Sequence, residues 1–95
     1  MITRVVKLSF QPDKTAFFLR IFNQYQQLLA QSEGCTSLSL LKDVSGTSTY
    51  FTISKWNSEA DLERYRQSTL FREIWRQVKP LFAEPAAAWS LEEVG

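Results

Sequence analysis

The sequence predicts an α+β fold in which one antiparallel sheet of four strands carries two helices on a single face. The order is β-α-β-β-α-β, with the second helix split in two. Apolar residues alternate with polar ones at period two in two segments, as a pleated strand with one covered face requires, and two further segments rich in β-branched or aromatic residues complete the strands. Two other segments repeat their apolar residues at three- and four-residue steps, as a helix packed on one side does. Between them fall Pro, Gly, Asp and Ser, the residues of turns and caps.

From Ile2 to Phe10, the residues Ile2, Val6, Leu8 and Phe10 share one strand face with Arg4, while Thr3, Val5, Lys7 and Ser9 share the other. Gln11-Pro12-Asp13 breaks the strand, with Pro12 suited to a first helical turn and Asp13 favourable against the positive helix end. A helix follows, its stripe formed by Phe18, Phe22, Tyr25 and Leu29 with Phe17, Ile21 and Leu28 alongside, and Gly34 can close it in the left-handed conformation. Cys35 to Lys42 alternates again, with Leu38 and Leu40 opposite Ser37, Ser39 and Leu41. Asp43-Val44-Ser45-Gly46 supplies a turn, and Thr47 to Trp56 resumes as β-branched and aromatic residues, so the pair forms an antiparallel hairpin. Ser58 with Asp61 resembles a capping box, opening a short helix through Leu62 and Tyr65. A second helical stretch carries Leu70, Phe71, Ile74, Trp75, Val78, Leu81 and Phe82; Pro80 is a place for a bend and Pro85 an end. Ala86 to Val94 is the last strand, with Trp89 and Leu91 on one face. This order is the split β-α-β unit of the ferredoxin-like fold.

The chain has 95 residues, 44% hydrophobic and 22% charged, which fits one domain over 1–95. At that size oligomerisation becomes a useful source of stability. There is no histidine, which removes imidazole bases, Ser-His-Asp triads and histidine metal ligands. A net charge of +1 argues against a phosphate-tracking surface, so no nucleic-acid partner is expected. The lone Cys35 cannot close an internal disulfide or build a metal cluster, in keeping with a reducing, cytoplasmic setting. Neither a signal-peptide core nor a membrane-spanning apolar run is present, so no membrane partner is expected.

The third strand implies a partner. Tyr50, Thr52, Ser54 and Trp56 lie on one side and Phe51, Ile53 and Lys55 on the other, so neither face is polar enough for water. Two helices cover one face only. A second copy stacked sheet to sheet covers the other most economically, which predicts a homodimer.

Three segments resemble the antibiotic biosynthesis monooxygenase (ABM) family, a set of small dimeric α+β barrel proteins. Ser32-Glu33-Gly34-Cys35 is similar to that family's Glu-Pro-Gly-Cys turn. Lys55-Trp56-Asn57-Ser58-Glu59-Ala60-Asp61-Leu62 resembles its Trp at the end of the third strand followed by a Ser/Asp-Glu-Ala-Leu helix start, and Ser68-Thr69-Leu70-Phe71 matches its Ser-x-x-Phe spacing. The resemblance implies a dimeric α+β barrel. Its departures are informative too. Members often carry His where this chain has Tyr65, and the Asn, Trp and haem-ligating His of the haem-degrading branch correspond to Val6, Trp56 and Trp75. Without an imidazole ligand, haem degradation is not expected.

In the oxygenase branch, the resemblance implies cofactor-independent attack of O2 on a small aromatic or quinol, with neither metal nor cofactor. Such chemistry needs a dry pocket, a polar group for developing charge and a route for a proton. Tyr65, Trp56 and Arg76 are the catalytic candidates: Tyr65 to pass a proton, Arg76 to favour a phenolate, Trp56 as an aromatic wall. Thr52, Ser54, Phe22, Trp75, Val6 and Arg4 are the substrate-binding candidates, the hydroxyls to hold a ligand oxygen, the rings to flank it and Arg4 to favour an anion. Each also has a structural use: aromatics fill volume, buried hydroxyls bond backbone, and an Arg beside an apolar stripe can lie in solvent. The alternative function is a non-catalytic, dimeric small-ligand-binding module of the same fold.

Overall fold

The computed structural model describes residues 1–95. Its elements are β1 (Ile2–Ser9), α1 (Thr15–Ala30), β2 (Cys35–Lys42), β3 (Thr49–Trp56), α2 (Glu59–Arg66), α3 (Thr69–Val78) and β4 (Ala87–Glu92), with short 3-10 turns at Pro12–Lys14 and Lys79–Leu81. The four strands form one sheet in the order β2-β3-β1-β4, and all three pairings are antiparallel. This is the ferredoxin-like arrangement.

Registers place the alternating residues as the sequence requires. Rungs across the helix-covered face run Leu40, Thr52, Val6, Ala88 and, one step along, Leu38, Ser54, Arg4, Ser90. The first is apolar but for one hydroxyl; the second is polar but for one leucine. At the end of the sheet Trp56 pairs with Ile2 and Cys35, and an extra residue, Thr36, bulges β2 so that Cys35 turns inward with the tryptophan.

Some boundaries differ from the sequence expectation. Phe10 leaves the ladder and forms an isolated bridge to Phe82, because Pro12 opens the next turn two residues later. The hairpin loop is longer than expected, and β3 begins at Thr49. Asp43 organises that loop, its carboxylate accepting from the Ser45 amide at 2.9 Å, the Ser45 hydroxyl at 2.8 Å and the Thr47 hydroxyl at 3.0 Å. The third helix stops at Val78 and tightens into a 3-10 turn around Pro80, which lacks the amide to continue it. The last strand covers Ala87–Glu92, shorter at both ends than expected.

Ser68 makes the split between α2 and α3. Its hydroxyl donates to the Tyr65 carbonyl at 2.6 Å, closing one helix, and accepts from the Phe71 amide at 3.0 Å, opening the next. Ser58 caps α2 by accepting from the Asp61 amide at 3.2 Å. Asp61, a methylene shorter than the usual Glu, accepts a hydrogen bond from the Ser58 hydroxyl at 2.9 Å instead of reaching back to the Ser58 amide. Gly34, at φ +85°, lets the β2 entry turn lie directly against Asp61, where a β-carbon would collide with the carboxylate.

The core has two parts. Leu8, Phe10, Phe18, Tyr50 and Val78 form one cluster, with Phe10 stacked on Phe18 at 4.2 Å. Ile2, Trp56 and Leu62 form the other. The α1 stripe is narrower than the sequence implied: Phe17 and Leu28 are about half exposed, and Phe17 lies under the ammonium of Lys14 at 5.4 Å and the guanidinium of Arg20 at 5.7 Å. The sheet face away from the helices has no cover within the chain, and Leu41, Trp89 and Leu91 are 47%, 47% and 49% exposed. No helix is long and apolar enough to cross a membrane.

Candidate functional site

A cavity of about 360 Å³ lies between sheet and helices, within the roughly 300–1,000 Å³ range of small-molecule sites. Its floor is formed by Leu38, Ser54, Arg4, Thr52, Val6 and Ala88 of the two rungs described above, with Leu8 and Ala86 beside them. Phe18, Phe22 and Leu29 of α1, Leu62, Tyr65 and Arg66 of α2, and Phe71, Ile74, Trp75 and Val78 of α3 form the walls. Fourteen of eighteen lining residues are hydrophobic, so the few polar groups (Arg4, Thr52, Ser54, Arg66 and the Tyr65 hydroxyl) define its chemistry.

The structure brings seven sequence candidates to this cavity: Arg4, Val6, Phe22, Thr52, Ser54, Tyr65 and Trp75. Two are elsewhere. Trp56 does not line it, being fully buried behind the wall at 0% exposure. Its indole N–H donates to Ser54 Oγ at 2.9 Å, leaving the serine's own proton free for another acceptor. Its ring stacks on Tyr65 at 5.1 Å, and Tyr65 meets Phe71 edge-on at 5.3 Å. Trp56 therefore positions Ser54 and Tyr65 and cannot touch a ligand in the cavity. Arg76 stands on the outer side of α3, donating to Glu73 at 2.6 Å and 3.3 Å. Next to Trp75 in sequence, it is rotated about 100° round the helix from the cavity-facing side.

Trp75 stacks on Phe71 at 5.7 Å with 13° between their planes and meets Phe82 edge-on at 5.5 Å, which fixes its ring as a flat wall. No sealed polar side-chain atom in the protein lacks a partner. The Thr52 and Tyr65 hydroxyls, which bond no protein group, are thus open to the cavity that they line.

Electrostatics assign the polar groups different capacities. Burial, helped by neighbouring Cys35, pushes the Tyr65 phenol well above its ordinary range, so at neutral pH it donates a hydrogen bond and does not act as a base. Burial likewise raises the Cys35 thiol, which leaves it protonated and a poor nucleophile. Arg4 is lowered by burial and by the charge of Arg66, partly offset by Glu63, but stays cationic. Neither a carboxylate nor a lysine lines the cavity, and no three Cys, Asp or Glu side chains gather to hold a metal ion.

Sequence reasoning missed Arg66. The signal was present, since Leu62, Tyr65 and Arg66 stand at i, i+3 and i+4 on one helix face and the first is apolar. Also missed were Leu29, Leu38, Leu62, Phe71, Ile74 and Val78 as lining; they had been counted as packing or not placed.

Solved structures share this architecture. A candidate antibiotic biosynthesis monooxygenase from Bordetella bronchiseptica superposes with a TM-score of 0.87 at 24% identity, covering 98% of this chain and 96% of that one. One from Caulobacter crescentus gives 0.90 at 22%, covering 99% and 90%, and one from Nitrosomonas europaea 0.91 at 15%, covering 100% of both. At such identities the likeness carries the fold. No protein of curated function matches the sequence significantly. The sequence pattern of the family described as antibiotic biosynthesis monooxygenase matches residues 1–77. With that match over most of its length and this architecture throughout, the chain belongs to the antibiotic biosynthesis monooxygenase family.

Proposed function

We propose that this single-domain protein is a cofactor-independent monooxygenase acting on a small aromatic or quinol substrate bound in the cavity. The supporting observation is an apolar chamber with two hydroxyls free of protein partners, Thr52 and Tyr65, and two cations, Arg4 and Arg66, along its floor and wall. The substrate anion supplies an electron to O2. One oxygen atom is added to the substrate, and the other leaves as water with the two hydrogens that the substrate loses. Exclusion of water strengthens the attraction between Arg4 and an anionic group of the substrate, and the Tyr65 phenol donates a hydrogen bond to the developing charge. Because the cavity offers no base of its own, substrates that ionise readily react and others do not.

The test is O2 uptake by purified protein with menadiol and with an anthrone. Rates above the uncatalysed background support the reading, and background rates across several such substrates refute it. The same lack of a base favours a second reading, a non-catalytic module that binds the ligand without turning it over. Ligand binding with no O2 uptake would establish that version.

The functional unit in this proposal is a cytoplasmic homodimer, its sheets stacked through the uncovered face. Trp89, Leu91 and Leu41 are the support for the dimer, since large exposed apolar patches are disfavoured in water. The single half-buried thiol is the support for a reducing compartment. Light scattering at micromolar concentration should give twice the 11.0 kDa chain mass; the chain mass alone would refute the dimer.

A further inference from the structure

No carboxylate forms an ion pair with Arg4. None of the protein's five ion pairs includes it. Its one side-chain bond is from Nη1 to Ser90 Oγ at 2.9 Å, across the β1–β4 ladder. The second arginine of the cavity, Arg66, is paired with Glu63 at 3.2 Å, a contact open to solvent and therefore only partly neutralising. Arg4, Arg66 and Glu63 together leave one net positive charge where an apolar cavity meets solvent. Arg4 thus presents its charge at the cavity with no carboxylate bonded to it.

The cavity is also polarised along its length. Leu38, Ser54 and Arg4 line one rung of the floor beneath α2, with Ser90 bonded to Arg4 at its outer end, while Val6, Thr52 and Ala88 line the next, towards Phe22 and Trp75. A ligand that matched both rungs would carry an anionic group at one end and an aromatic body at the other. Of the common anions, a carboxylate is permanently charged near neutrality and offers two coplanar oxygens to the guanidinium fork.

We propose that Arg4, with Arg66 beside it, holds a carboxylate of the ligand, so that the cavity selects aromatic acids over neutral aromatics of the same shape. This deepens the substrate class of the site above and rests on the reading of the cavity as a ligand site. It makes Arg4 a specificity-determining residue that grips a part of the ligand remote from the reacting carbon.

The experiment uses a matched pair, 2-naphthoate and 2-naphthamide, which differ in charge and little in shape, titrated against the full chain by calorimetry and by quenching of tryptophan fluorescence. The wild type should bind the acid about tenfold or more tightly than the amide, as a charge-assisted hydrogen bond implies, and added salt should shrink the preference. Arg4→Met should bring the ratio of the two affinities towards one, Arg4→Lys should keep part of it, and Arg66→Met should reduce it by less. Equal binding of both ligands to the wild type, or a full preference surviving in Arg4→Met, overturns acid recognition while leaving the ligand cavity in place. Failure of both ligands to bind the wild type overturns the cavity reading and the proposal together. Should Arg4→Met not fold, the wild-type ratio, its salt dependence and the Arg66→Met ratio decide.

Discussion

Replacing Trp56 and Ser54 singly and together tests whether a buried hydrogen bond joins the core to the cavity. The indole N–H donates to Ser54 Oγ at 2.9 Å, and both residues are buried, Trp56 at 0% and Ser54 at 6% exposure. Trp56→Phe loses a bond worth about 1 kcal/mol. It also leaves a void worth about 1–2 kcal/mol, a fraction of the ~3–5 kcal/mol for truncation to alanine. Ser54→Ala strands the N–H in a dry wall, at about 2 kcal/mol. In the double variant no donor is stranded, so its destabilisation should fall about 1–2 kcal/mol short of the sum of the singles. Urea denaturation followed by circular dichroism, at one protein concentration because the stability of the proposed dimer would depend on it, measures all four corners of the cycle. In a domain of this size, Trp56→Phe alone should lower Tm by about 10–20 °C. Additivity within about 0.5 kcal/mol would show that the bond contributes nothing and that Trp56 is volume only.

Gly34→Ala should destabilise by about 2 kcal/mol or more, from the left-handed backbone it must adopt and the collision with Asp61, and it should weaken ligand binding by displacing α2; unchanged urea midpoints would refute this. Tyr65 governs alkaline stability: its folded pKa is raised, so its contribution is complete below pH about 10 and is lost as pH climbs from there through the folded value. Tyr65→Phe should therefore flatten the alkaline limb of stability against pH, and an unaltered limb would refute the burial argument. Phe51→Lys puts a charge on the uncovered sheet face and should convert the proposed dimer to monomer or aggregate in light scattering; an unchanged mass would refute that interface. Arg76→Ala should change neither Tm nor ligand affinity measurably, since its pair with Glu73 is exposed.

The strands were legible because pleating forces a strict alternation, and Leu8, Tyr50 and Trp56 fell inward as their spacing required. Helix faces were less so. Periodicity in α1 admitted Phe17 and Leu28 to the stripe, but how much of the stripe the sheet covers depends on how the helix is set down on it, which spacing does not encode. The cavity shows the same division. Of the residues on inward strand positions, Arg4, Thr52 and Ser54 follow from parity, and Val6 from parity together with the family resemblance. Trp56 shares that parity, yet lies at the end of the sheet, where Ile2 and Leu62 close over it. Arg76 was misplaced and Arg66 overlooked for one reason: each is a charge beside an apolar neighbour, and only the helix phase separates the one facing in from the one facing out.

The break in the second helix explains why the cavity has a polar end at all. A continuous helix over the sheet would carry one apolar stripe from end to end and roof the whole floor with the same chemistry. Ser68 ends α2 and starts α3 within one residue, so the two pieces present independent faces. α2 brings Tyr65 and Arg66, with Leu62, over the rung of Leu38, Ser54 and Arg4, and α3 brings Phe71, Ile74, Trp75 and Val78 against the remainder, where Thr52 is the one polar side chain. Roof and floor thus change character together. Ser68→Ala removes both of the hydrogen bonds that hold the joint, so it should disturb acid recognition as well as stability. If it lowered stability while leaving the naphthoate-to-naphthamide ratio untouched, the joint would be a packing device only.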